Sequence, residues 1–194
     1  MSELKVNKVT PRSGTTVTLG DSGDTITIPS GATIDLSSAT QTGVGGTNTP
    51  AFFAKKVTSQ TLTHNAYTKI QFESEDFDTN SAYDNSVNYR FTVPAGQGGK
   101  YCIFSQLTLD SNGTGSDYII LTIYKNGSRI FASNFFEGGL DLDEPTVNIK
   151  VVLDLAATNY IEIFGTMAIG SGSPTIKLTA DNAYLNYFGA YKLI

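Results

Sequence analysis

Val87-Asn88-Tyr89-Arg90-Phe91-Thr92-Val93-Pro94-Ala95-Gly96, then Gln97-Gly98-Gly99, then Lys100-Tyr101-Cys102-Ile103-Phe104-Ser105-Gln106-Leu107 is the stretch whose reading decides the fold. Aromatic and β-branched residues dominate both flanks, which suits a pleated, half-buried strand. Pro94 and the glycines after it interrupt the run, so the stretch reads as strand, loop, strand. The loop is glycine-rich, but it lacks the Gly-Lys-Ser/Thr ending and the following helix of a phosphate cradle. Outward from it the same texture continues: Thr68–Phe72, Tyr118–Tyr124, Val147–Leu153, Tyr160–Phe164 and Ala183–Phe188 all read as strands. Asn112-Gly113, Asn126-Gly127, Gly138-Gly139 and Gly172-Ser173 punctuate them as turns. No helix of ten residues is expected, and the second segment is assigned to an all-β sandwich.

A boundary is drawn by the aromatics. Residues 1–50 hold none, and all 11 Phe and 10 Tyr lie between Phe52 and Tyr191. A segment whose largest apolar side chains are Ile and Leu buries too little area to offset its ordering entropy alone. It carries three apolar-x-apolar triplets: Val17-Thr18-Leu19, Ile26-Thr27-Ile28 and Ile34-Asp35-Leu36. Alternation places Val17, Leu19, Ile26, Ile28, Ile34 and Leu36 on one face, between turns at Gly20–Gly23 and Pro29–Gly31. Such a ridge closes when copies of the chain face it about a threefold axis. The expectation is therefore residues 1–42 as an anchor and short β-structured trimeric stalk, 43–50 as a Gly-rich hinge, and 51–194 as the head.

The 13 basic and 18 acidic residues leave a formal net charge of −5, which offers no basic face for nucleic acid or an anionic membrane. No run of about 18 apolar residues is present to span a bilayer, and residues 1–8 contain no apolar signal-peptide core. A product made in the cytoplasm is expected. Cys102 is the single cysteine, so no intrachain disulfide is possible; its neighbours Tyr101 and Phe104 point to a buried thiol. His64, the sole histidine, sits in the polar stretch Thr61–Asn65 and has no nucleophile at meaningful spacing. The acids of Glu73–Asp78 and Asp141–Glu144 read as solvated loops, with calcium as the metal they could hold. No other cofactor and no catalysis are expected.

From residue 51 onward the order of motifs resembles the trimeric jelly roll of the complement globular head and tumour-necrosis-factor superfamily. Ala51–Ala54 resembles the first strand and Ile70-Gln71-Phe72 the second; Tyr89–Gly96 with Gly99–Phe104 resembles its most diagnostic stretch. Tyr124–Gly127 resembles a hairpin, Val152–Leu155 through Tyr160–Ile163 the paired late strands, and Phe188–Ile194 the closing strand. Where the family usually has Gly-Asp, this chain has Thr158-Asn159. The resemblance implies a homotrimer, with Phe52, Tyr187, Phe188 and Tyr191 as candidates for the head interface. Loops at one end are the natural ligand sites, giving Asn112, Thr114, Asp117, Ser171 and Ser173 as candidates.

A short β-structured stalk under such a head is similar to a bacteriophage fibre or head appendage. That similarity implies a virion structural protein, fixed to a capsid or tail protein through its amino end. Its head would bind a host-surface glycan or protein. The alternative is a capsid decoration protein clamping the shell at threefold sites, which the brevity of the stalk favours. A soluble extracellular lectin or ligand is a third reading.

Overall fold

The computed structural model describes residues 9–35, 48–136, 142–179 and 185–193. The chain divides into two units, Met1–Val44 and Gly45–Ile194.

In the first unit, residues 9–35 contain no strand, and almost all are exposed. Both expected turns are present, closed by Asp24 N–H to Asp21 O at 3.0 Å and by Ala32 N–H to Pro29 O at 3.1 Å. Among the described residues the triplets form no ladder, and an extended segment without one is not a sheet. Val17, Leu19, Ile26, Ile28 and Ile34 accordingly stand in solvent, the last at 57% exposure. Leu36 and hinge residues 43–47 lie outside the described residues.

The head is a sandwich of two antiparallel sheets. Sheet 1 contains β1 (Ala51–Lys55), β3 (Ser74–Asp78), β6 (Gly99–Asp110), β9 (Thr146–Leu155), β11 (Thr175–Ile176) and β12 (Tyr187–Lys192). Its order is β11-β6-β12-β1-β3, with β9 also pairing along β6. Sheet 2 contains β2 (Thr68–Lys69), β4 (Tyr83–Asp84), β5 (Arg90–Thr92), β7 (Ser116–Lys125), β8 (Ser128–Phe136) and β10 (Tyr160–Ile169). It runs β4-β5-β10-β7-β8, and β2 pairs with β10.

Alternation fills the space between the sheets. Tyr101, Ile103, Leu107 and Leu109 of β6 meet Ile119, Leu121 and Ile123 of β7 and Ile161, Ile163 and Met167 of β10. Gly165 of β10 must be glycine, because a Cβ there would lie 2.5 Å from Leu107 Cδ2. At one end, Phe52 stacks on Tyr83 with centroids 4.6 Å apart and meets Phe188 edge-on at 4.8 Å. The Tyr83 hydroxyl donates to Phe72 O at 3.0 Å, and burial pushes its pKa far up.

Several expectations change. Ser74–Asp78 is a strand, not a solvated acidic loop: Lys55 answers Asp76 at 2.5 Å, and Phe77 pairs across from Phe53. Val87–Tyr89 is not strand, because Asp84 gathers the N–H groups of Ser86, Val87 and Asn88 into a turn. Those bonds, led by that of Val87, hold its carboxyl well below the usual carboxylate range. Ser128–Phe136 forms an unforeseen strand, β8, which includes Asn134. Ile70 and Phe72 leave the ladder after β2 yet remain fully buried.

Candidate functional site

The register of sheet 1 separates the interface candidates into two pairs. Side chains alternate along β1 and β12, so Phe52 and Phe188 face the core with 1% and 0% exposure. They are corrected here from interface residues to core residues. Tyr187 and Tyr191 face outward and are half-buried. They stand beside three rings that the sequence reading did not select: Phe53, Phe77 and Phe104.

Cross-strand pairing builds this outer face. Phe77, Phe53, Gly189 and Phe104 lie in one row across β3, β1, β12 and β6. Gly189 leaves room for the ring of Phe104, since a Cβ there would lie 2.4 Å from Phe104 Cζ. Phe104 thereby reaches 6.2 Å from Phe53 and from Tyr187, and 6.3 Å from Tyr191. Phe53 and Tyr187 stack at 5.5 Å, and Phe77 is 52% exposed. Val152 of β9, paired with Cys102 of β6, extends the apolar surface at 57% exposure. A depression of about 420 Å³ lies over Phe104, Gln106, Asn148, Lys150, Tyr187 and Tyr191. Cys102 is buried beneath this face, and its hydrogen bond with Tyr191 pushes the phenol's pKa up.

The end loops are brought together, but largely to bond one another. Asn112 Nδ2 donates to Ser173 O at 2.9 Å, and Gly170 N–H donates to Gly115 O at 3.3 Å. Thr114 Oγ1 donates to Ser111 O at 2.8 Å, with Ser171 O as a second acceptor at 3.2 Å. Asp117 is separate, exposed on β7. These bonds occupy groups that a ligand would otherwise address and brace the end of the sandwich.

His64 and Glu73 have structural partners. His64 Nδ1 accepts from Ile169 N–H at 3.4 Å. Glu73 accepts from Lys56 Nζ at 2.8 Å and from the N–H groups of Val57 and Thr58 at 3.0 and 2.6 Å. Burial raises its pKa, but Lys56 and the other donors prevail and leave it lowered. Among the described residues, no three or more His, Cys, Asp or Glu gather as a metal site. Asp141 lies outside them.

Known structures share the architecture. The globular domain of zebrafish complement 1qA protein aligns with TM-score 0.52 at 12% identity, over 75% of this chain and 98% of that one. The head has a jelly-roll fold similar to that of this domain. Eiger TNF from S. frugiperda gives 0.52 at 14%, over 74% of this chain and 92% of that one. Murine APRIL gives 0.53 at 11%, over 74% and 98%. No protein-family model and no curated protein sequence matches the chain. In this jelly roll the turn that departs from the family pattern is still tight: Thr158 takes φ 70°, and Asn159 Oδ1 accepts from Ala156 N–H at 3.0 Å.

Proposed function

We propose that the chain is a non-enzymatic homotrimeric virion appendage, fixed to a capsid or tail protein by its amino end and binding the host surface with its head. The observation that carries the assembly is the outer face of sheet 1. Five aromatic rings on one sheet face form the kind of contiguous apolar patch that a stable monomer rarely shows. Further copies would cover it, as they would cover the exposed triplets of residues 17–34. Burying such rings contributes on the order of 1.5–3 kcal/mol for each fully covered side chain. Triplication also turns weak contacts at the head into avidity.

The test presents labelled full-length protein to a panel of bacterial cells and, separately, to empty phage capsids. Labelling of cells supports the appendage reading. Binding to capsids at threefold positions with no cell labelled would replace it with the decoration reading.

A further inference from the structure

A second depression, of about 370 Å³, opens on the outer face of sheet 2, remote in register from the aromatic face. Its position follows from the strands. Ile119, Leu121 and Ile123 of β7 are buried in the core, so Tyr118, Ile120, Thr122 and Tyr124 face outward. Their partners on β8 are Phe136, Asn134, Ala132 and, after a bulge, Arg129. Tyr67 comes from the loop before β2 and completes the wall with Phe131.

Arg129 is the distinctive group. Its Nη1 donates to Tyr67 Oη at 2.6 Å, and the guanidinium carbon lies 5.1 Å from the Tyr67 ring centroid. Those contacts orient the fork while using one of its five N–H donors. Lys55, Lys56, Lys69 and Lys177 each meet a carboxylate. Arg129 meets none among the described residues, in a chain of net charge −5. An oriented guanidinium with free donors is suited to a bidentate carboxylate. On the same outer face are the ring of Phe136 and the amide of Asn134, which pair with Tyr118 and Ile120 of β7 and line the depression with it. Aromatic faces take the C–H face of a sugar ring, and an amide both donates to and accepts from hydroxyls. The volume is at the small end of ligand pockets.

The geometry points to a binding site for a carboxylate-bearing pyranose, a sugar of the uronate or sialate class. The carboxylate docks on the open edge of Arg129, the sugar extends along the outer face of β8 toward Phe136, and Asn134 reads a hydroxyl. This inference rests on the reading of the head as a surface-binding module and names the chemistry of its ligand.

The experiment uses full-length protein with saturation-transfer NMR and calorimetry. The probes are glucuronate and N-acetylneuraminate, with glucose and acetate as controls. At least one acidic sugar is expected to bind, with glucose and acetate weaker by tenfold or more. Arg129→Gln should lose at least tenfold in affinity and Phe136→Ala several-fold, while Asp154→Asn, exposed on β9, leaves it unchanged. Both site residues are exposed, so thermal melting is expected to stay at the wild-type value; Arg129→Lys provides a second variant that keeps the charge and loses the fork. Absence of binding by either acidic sugar, equal binding of acetate, or undiminished affinity in Arg129→Gln would each overturn the site. Cell labelling that persists after any such result leaves the surface-binding reading standing.

Discussion

The two units of this chain use the same local pattern to different ends. Ile26-Thr27-Ile28 alternates as cleanly as Ile161-Glu162-Ile163. The first stands in solvent, with Ile26 at 59% exposure, while Ile161 and Ile163 are fully buried in β10. The difference is supplied by neighbours. β10 has β7, β5 and β2 alongside it and a facing sheet over it; the triplet has no strand partner among the described residues. Alternation therefore specifies which side chains share a face, and the rest of the chain determines whether that face is covered. The outer face of sheet 1 combines both conditions, since β1, β12 and β6 are paired on both sides and its rings are only partly covered.

The sharpest contrast is between the two sides of β1 and β12. Phe52→Ala removes a ring packed against Tyr83, Phe91 and Phe188 and is expected to cost about 3–5 kcal/mol in urea unfolding. Tyr191→Ala, on the outer side, should change the unfolding of a dilute monomer by less than about 1 kcal/mol and instead weaken self-association. Equal losses from the two variants would erase the distinction between core and interface.

Glu73→Gln tests the ion pair that holds a buried ammonium in the head. It strips the counter-charge from Lys56, which is 5% exposed, and should cost about 2 kcal/mol. The wild-type carboxyl lies below its ordinary 4.5. Its contribution is thus complete above that range and is lost as pH falls through the lowered folded value. Urea midpoints between pH 7 and pH 3 should decline more steeply for wild type than for Glu73→Gln; parallel profiles would contradict the assignment.

How much of this was legible in sequence follows from the same comparison. β6, β7, β9 and β10 were readable because their apolar periods are long and end at turns. β8 was missed because Ser128–Phe136 is an edge strand, exposed on nearly every residue, whose polar and apolar residues keep no core period. β3 was hidden by its acids, which an edge strand tolerates. Tyr187–Tyr191 was read as one wall, although the twofold period already sends Phe188 and Tyr187 to opposite sides. Phe53 and Phe104 carried that same signal, but their proximity depends on the pairing of β1, β12 and β6, which no local pattern contains. The loops at Asn112 and Ser171 were placed at one end as expected; their mutual hydrogen bonds depend on a tertiary approach.

A smaller effect sharpens the comparison at a turn. Thr158 is β-branched and holds φ 70°, where glycine carries no steric cost. Thr158→Gly is expected to stabilise the head by about 1 kcal/mol or less, because glycine's greater unfolded-state entropy offsets part of the relief. A loss of stability would show that the threonine makes a compensating contact. The smallest effect lies in the first unit. Ile26→Ser with Ile28→Ser should leave the head's melting temperature unchanged while weakening assembly of the intact chain. A lowered melting temperature in dilute monomer would mean that the triplets pack within one chain after all.

The central claim is that copies of this chain cover what one copy leaves open. Light scattering of the full-length protein across a concentration series tests it most directly. The account predicts a mass near three times 20.7 kDa; a monomer at all concentrations would contradict it.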